Sequence, residues 1–459
     1  MSEEAKHSLI SNYKKMKYID LTEKLVKRCI SLGADAAEVF LETNRNLSIN
    51  VLKSEIETIE EASSQGVGFR IFVDGKMGFS HCNDLNNRAL EDTISRAIAF
   101  AKLSTPDENN VLTDDKGITA IADLYDPGIL AESMDRKIKM ALDLEKLAMK
   151  DPRITKSAGA GYGEGESEVF IANSNGLVKS YKSSGCSVGV YVVAEKGDQK
   201  NTGGEYCSRI FFVDLVPLEE VAATASKKAI ELLDPVMIKT QKAAIIFDPD
   251  VARSLLGGII SAINGERVLQ GASFLKDYRN KQFASSLLTM TDDGTRQRSL
   301  GSAPFDGEGV PTIKNTLVEN GVLKSFIYNT KAARRAGVKS TGNASRGGFS
   351  SLPGIGTHNV YVSTGKHTRN EIIAATKKGL LLLEVTGYGI DSVSGNFSGG
   401  ASGLWIENGE IVHPVKGVTI AGRAFDILNA IDMMGNDLDM NRTNAAPTFR
   451  VTEMQIGGK

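Results

Sequence analysis

The side chains that could do chemistry are few and scattered. The chain carries 5 histidines (His7, His81, His358, His367 and His413) and 4 cysteines (Cys29, Cys82, Cys186 and Cys207). A hydrolytic metal centre needs about three protein ligands and one open position, so that the ion can bring the pKa of bound water toward 7. Helices present such ligands three or four residues apart, on one face. No two of these histidines have that spacing. His81 and Cys82 are adjacent, and neighbours on a strand point to opposite faces. Surface or hairpin histidines are the ordinary reading, with no metal site among them. The cysteines show no CxxC pair, so free thiols in a cytoplasmic protein are expected.

Nucleophilic catalysis is weakly signalled. Ser398 in Asn396-Phe397-Ser398-Gly399-Gly400 has glycines around it whose N–H groups could be exposed. It lacks the G-x-S-x-G elbow before a helix, and no histidine is near in sequence. Gly161-Tyr162-Gly163-Glu164-Gly165 and Gly66-Val67-Gly68 lack the strand–loop–helix context of a dinucleotide loop. Trp405, the only tryptophan, sits in the alternating run Leu404-Trp405-Ile406 and reads as core.

At 459 residues the chain has length for two or three domains. Formal net charge is −2, and the basic clusters Lys14-Lys15 and Arg334-Arg335 are short, so nothing points to nucleic acid or an anionic membrane. No apolar run approaches the roughly 18 residues of a membrane span. Met1 to Lys17 is polar and lacks the apolar stretch of a signal peptide.

An α+β fold is expected, in two domains, 1–239 and 240–459. The first reads as a sheet-and-helix domain with an internal duplication, about 20–105 and 130–235. Asp20 and Glu23 have capping-box spacing before a helix that Gly33 would stop. Leu47, Ile49 and Val51 alternate as in a strand, and the run Gly66–Val73 meets the turn Asp74-Gly75. A helix over 87–102 closes the unit. The second half repeats the order: a helix over 135–149, strands at Glu168–Ala172 and Cys186–Ala194 flanking the turn Asn175-Gly176, and a helix from Pro217 to about Leu233. The second domain reads as mostly antiparallel β. It has a strand at Ala243–Phe247 and a helix at Val251–Ile263. Hairpin turns are expected at Asp293-Gly294, Asn320-Gly321 and Asn408-Gly409. A capping box at Thr368–Glu371 opens a helix over Ile372–Leu380. Two long glycine- and serine-rich loops, Ser340–Gly356 and Gly387–Gly403, are the functional candidates.

Several C-terminal segments carry a family likeness. The stretch Asp391–Glu410, with Gly395-Asn396-Phe397-Ser398 near its start, resembles the PmbA (TldE) signature of the TldD/PmbA family, also called modulators of DNA gyrase. Lys416–Gly422, Gly435-Asn436-Asp437, Thr341–Gly347 and Gly66–Ile71 are similar to further family segments in the same order. TldD-type members of this family carry HExxxH on a helix, with a further cysteine ligand toward the C-terminus. By the resemblance, the corresponding helix here is Val251–Ile263, with Gly257, Gly258 and Ser261 at the motif positions and Met434 where the cysteine would stand. None of these can serve as a zinc ligand of that type.

The resemblance therefore implies a non-catalytic, PmbA/TldE-like subunit of a zinc metalloprotease complex that handles small or unfolded peptides. It implies no cofactor in this chain, zinc only in a TldD-type partner, a heterodimer with that partner, and a homodimer when alone. Arg346, Asn396, Phe397 and Ser398, in the two loops, are the candidate peptide contacts, because a glycine-rich loop can pair with an extended peptide through its backbone. The alternatives are a hydrolase acting through a site not visible in the sequence, and a homodimeric scaffold without peptidase activity.

Overall fold

The computed structural model describes residues 3–459; the surface placement expected for His7, Lys14 and Lys15 falls outside the described side chains. The N-terminal half runs α1 (Glu3–Ser31), β1 (Ala36–Leu52), β2 (Glu55–Val73), β3 (Lys76–Cys82), α2 (Asn87–Leu103), the single turn α3 (Gly128–Ala131), α4 (Met134–Ala148), β4 (Ile154–Asn173), β5 (Val178–Lys196), β6 (Gln199–Arg209) and α5 (Leu218–Ile230). All 6 strands form one sheet in the order β3-β2-β1-β4-β5-β6. The two halves of the duplication thus meet at the antiparallel β1–β4 pair, Glu38↔Asn173 to Val51↔Ala160.

Local chemistry explains the elements. In α2, Asn86 caps the start by accepting from the Ala89 N–H, and Leu90, Ile94, Ala97, Ile98 and Ala101 are buried on one face. Asp74 (φ 51) and Gly75 (φ 71) make the left-handed pair of a type I′ hairpin. Helix α1 differs from expectation: it does not begin at Asp20 but runs through it from Glu3. The segment before Asp20 holds no proline or glycine, so nothing in it stops a helix. At its end the Ala34 N–H bonds the Cys29 carbonyl at 3.2 Å, with Gly33 at φ 99.

Strand periodicity divides the sheet into two faces. One face carries Leu41, Leu47, Ile49, Val67, Phe69, Phe170, Val188 and Val190, which pack beneath the helices in two apolar clusters. The other, the outer face, carries Glu38, Phe40, Ser48, Asn50, Gly66, Gly68, Arg70, Gly161 and Gly163. Its Phe40, Val169 and Ile171 pack against Leu177 and Phe305 in a smaller cluster.

The C-terminal half runs β7 (Gln241–Phe247), α6 (Pro249–Ala262), α7 (Gly265–Leu269), β8 (Met290–Asp293), β9 (Lys314–Glu319), β10 (Val322–Leu323), α8 (Thr330–Arg335), β11 (Ala344–Ser345), β12 (Gly354–Ile355), β13 (Val360–Val362), α9 (Arg369–Ala374), β14 (Lys378–Ile390), β15 (Asn396–Glu407), β16 (Glu410–Arg423), α10 (Ala424–Asn429), β17 (Ile431–Met434), β18 (Asn444–Ala445) and β19 (Phe449–Gly457). Its larger sheet is ordered β16-β15-β14-β7-β19-β17, and β16 also pairs with β19, which closes 5 of these strands into a ring. Only the β7–β14 pair in it is parallel. The whole is α+β, with antiparallel pairs dominant.

Three expectations fail here for identifiable reasons. Asp293-Gly294 is not a hairpin turn. Asp293 Oδ1 accepts from the Thr295 N–H (2.9 Å) and hydroxyl (2.7 Å), and the chain leaves in a long excursion before β9. The helix opened by the Thr368 capping box ends at Ala374 rather than Leu380. Leu380-Leu381-Leu382 instead pair in parallel with Ile245-Ile246-Phe247 and are buried, which suits a central strand. The segment Gly387–Gly403 is mostly the β14–β15 hairpin rather than a loop. A Cβ on Gly403 would sit 2.0 Å from the Leu381 carbonyl oxygen, so close strand contact demands that glycine.

Candidate functional site

Helix α6 is built as expected and placed at the junction of the two halves. Asp248 caps it by accepting from the Asp250 N–H, with Pro249 at the first turn. Val251, Ala252, Leu255, Leu256, Ile259 and Ala262 face the core. Ser254 and Gly257 are exposed on the opposite face, and Ser261 is half-buried. A Cβ on Gly257 would meet nothing within 4 Å, whereas one on Gly258 would lie 2.6 Å from the Ile390 Cβ and carbonyl oxygen. Met434 is 2% exposed on β17. It pairs with Phe449, which pairs with Phe247, the last residue of β7. Its place is therefore two strands from the entry to α6.

Two glycines, a serine hydroxyl and a buried thioether do not fit a zinc ion. Among the described residues, no three His, Cys, Asp or Glu side chains converge as a metal-binding group. The side chain of His358 has structural work: its Nδ1 and Nε2 face the carbonyl oxygens of Gly301 (3.2 Å) and Gly342 (2.7 Å).

The exposed face of α6 borders the N-terminal sheet. Arg253 Nη1 is 3.5 Å from the Tyr206 hydroxyl, and the Arg442 guanidinium stacks on the Tyr206 ring at 4.7 Å. Burial pushes the Tyr206 phenol up, but the two arginines outweigh it and hold it below its ordinary value. Lys228 bridges Glu205 (2.7 Å) and Asp250 (2.6 Å), tying β6 and α5 to α6.

The loop Ser340–Gly356 crosses to the outer face of the same sheet. Arg346, expected to touch peptide, is instead locked inside the protein with its side chain 3% exposed. It is ion-paired with Glu38, and donates to the Ser351 carbonyl at 3.1 Å. Arg70 bridges Glu38 (2.8 Å) and Glu308 (3.0 Å), and Glu308 also accepts from the Thr330 N–H at 2.8 Å. Two guanidiniums thus balance two carboxylates in a buried clasp between the halves. A third acid, Asp306, is pushed up to about 7 by burial and by Glu308, against three backbone N–H donors.

Of the other candidate peptide contacts, Asn396 and Ser398 are exposed at the start of β15, while Phe397 is 3% exposed within the large C-terminal core. These three are not brought together with Arg346: they belong to the β14–β15 hairpin, and Arg346 to the clasp. Sequence reading missed Glu38, Arg70, Glu308, Tyr206, Arg253 and Arg442. One signal was there: Arg70 interrupts the apolar run Val67–Val73, and a charge in such a run implies a buried partner.

Three family models match in order: PmbA/TldA metallopeptidase domain 1 at 37–101, the central domain at 128–233 and the C-terminal domain at 240–458. The chain belongs to the PmbA/TldD metallopeptidase family. It is 30% identical to the Metalloprotease PmbA homolog of Haemophilus influenzae, over 92% of each chain. It is 29% identical to Metalloprotease PmbA of Escherichia coli O157:H7, over 96% of each. Among solved structures, TldE from Thermococcus kodakarensis superposes with a TM-score of 0.87 at 25% identity, covering 95% of this chain and 99% of that one. A proposed modulator of DNA gyrase from Bacteroides thetaiotaomicron gives 0.88 at 28%, covering 96% and 98%. In this PmbA/TldD chain, the first two matched segments share one sheet, and β7 followed by α6 opens the third. Among the described residues, no helix is long and apolar enough to cross a membrane.

Proposed function

We propose that this chain is the metal-free subunit of a two-chain metallopeptidase, paired with a TldD-type subunit that carries zinc and performs the cleavage. The observation that carries this reading is the exposed side of α6, near the start of the family's C-terminal domain: Gly257, Gly258 and Ser261, which the resemblance sets at the motif positions, carry no zinc ligand. The reading draws support from relatives of both kinds. A Haemophilus influenzae protein named a TldD homolog aligns at 27% identity over 92% of this chain, and a solved structure named TldE aligns over 95%. This chain would complete a peptide-handling chamber, with small or unfolded peptides as substrates.

A second reading, a peptidase active alone, has one observation in its favour: the similar PmbA proteins are themselves named metalloproteases. Peptide cleavage with added zinc separates the two, measured for this chain, for a TldD-type chain and for an equimolar mixture. Cleavage only in the mixture, or a gain over the TldD-type chain alone that a chelator removes, supports the two-subunit reading. Zinc-dependent cleavage by this chain alone overturns it.

A further inference from the structure

The outer face of the N-terminal sheet is open where it approaches α6. Strand register lays its residues in rows. One row reads Thr58–Asn50–Gly161–Gly189–Tyr206 across β2, β1, β4, β5 and β6. The next reads Glu60–Ser48–Gly163–Ser187–Ser208. Together they floor a cleft of about 470 Å3, walled by Tyr191 and Tyr206 and reached by Glu57. Glycine inside a strand sacrifices packing and backbone order, and its usual meaning is that a ligand or another backbone comes close. Four outward glycines alternate along β4 alone, at 159, 161, 163 and 165.

Charge is graded along the rows. At the β2 end stand Glu57 and Glu60, both exposed. At the β6 end stand Arg253 and Arg442, against Tyr206. Each arginine also holds a carboxylate of the protein, Arg253 with Asp250 (3.1 Å) and Arg442 with Glu205 (2.8 Å). Each nevertheless keeps one buried nitrogen unpartnered, Nε of Arg253 and Nη1 of Arg442. Four interstrand spacings separate the ends, about 19 Å. An extended chain of five or six residues spans about that distance.

We propose that this cleft is a binding site for short, extended peptides with free termini, lying across the strands with the ammonium toward Glu57 and Glu60 and the carboxylate toward Arg253, Arg442 and the Tyr206 hydroxyl. The glycine floor admits any sequence, because it contacts backbone, and the ends measure length. The proposal rests on the peptide-handling part of the reading above but not on its catalysis, since binding is measured on this chain by itself.

The test is isothermal titration of the isolated full chain with the hexapeptide Ala-Ser-Ala-Phe-Ser-Ala. Saturable binding is expected for the free peptide. C-terminal amidation or Arg253→Gln should weaken it at least ten-fold, and N-terminal acetylation about three-fold. Gly163→Val provides a second arm: its Cβ would find the Ser187 hydroxyl at 3.1 Å as nearest neighbour, so it fills the floor without displacing backbone. Binding should be lost with the melting temperature preserved. No binding, or equal affinity for free and capped peptides, overturns the proposal. If a TldD-type chain then shields Tyr191 and Tyr206 in place of peptide, the face is a subunit interface instead. Cleavage by the mixture does not enter this measurement, so the site and the two-subunit reading can fail separately.

Discussion

The two ends of the outer sheet face use the same material differently. At one end Gly66 and Gly68 of β2 are filled by the chain itself. A Cβ on Gly66 would sit 2.2 Å from the Phe349 ring, and one on Gly68 would sit 2.2 Å from the Phe349 carbonyl oxygen. Charges there are buried and matched: Glu38 with Arg70 and Arg346, Glu308 with Arg70. At the other end Gly161 and Gly163 alternate in the same way, no segment among the described residues lies over them, and the charges stand at the rim. Strand glycines make room for a close neighbour. The covered end shows the neighbour that the C-terminal half supplies, and the open end shows the room without one. The two ends differ in occupancy, not in the glycine pattern that makes room.

The largest predicted effect tests the covered end. Glu38→Ala leaves two guanidiniums in a buried clasp with one carboxylate, which typically costs about 3–5 kcal/mol. Urea unfolding should show a lower midpoint with an unchanged slope. A loss below about 1 kcal/mol would mean that the halves are held chiefly by apolar contacts. The next effect is a pH dependence at the same end. Asp306 binds its proton more tightly when folded, at about 7 against an ordinary 3.8. Its contribution is full below pH 4 and is lost as pH rises through 7, on the order of a few kcal/mol. Subtracting the Asp306→Asn melting profile from the wild-type profile isolates this slope. A flat difference between pH 4 and 7 would count against the raised value.

Much of the scaffold that sets up this contrast was legible. Asp74-Gly75, Asn320-Gly321 and Asn408-Gly409 are hairpin turns because both residues of each pair take positive φ, which Asn, Asp and Gly tolerate best. The Thr368 box and the α2 face were readable because caps and periodicity are local. The long strands were caught only in part. In β4, outward Gly161, Gly163 and Gly165 alternate with inward Ala160, Tyr162 and Glu164, so the period is two but the usual apolar contrast is missing. The Glu38–Arg346 pair could not be read, since its members are brought together only by the docking of the two halves. Arg346 looked like a surface contact for the same reason: a glycine-rich loop signals close approach but does not say to what.

Alanine at matched glycines sharpens the contrast on a smaller scale. Gly66→Ala should push the Phe349 ring outward and cost about 1–2 kcal/mol of lost burial. Gly163→Ala should cost nothing, and should gain about 0.5–1 kcal/mol from reduced backbone freedom in the unfolded chain. If both changes destabilise equally, the open end is not open in solution.

Helix α6 repeats the comparison within two adjacent residues, and there it bears most directly on function. Gly258→Ala should destabilise by about 1–3 kcal/mol, because the new methyl meets the Ile390 Cβ and carbonyl at 2.6 Å. Gly257→Ala meets nothing within 4 Å. In an exposed helix interior it should therefore stabilise by about 0.5–1 kcal/mol. Gly257 lies one turn beyond Arg253, on the side that borders the open cleft. If Gly257→Ala raises the melting temperature while cleavage by the mixture with a TldD-type chain is unchanged, nothing that the complex handles needs the bare backbone there. A rise in stability with loss of cleavage would mean that a peptide or partner backbone passes directly over the bare helix. That outcome would place α6 in contact with what the complex handles.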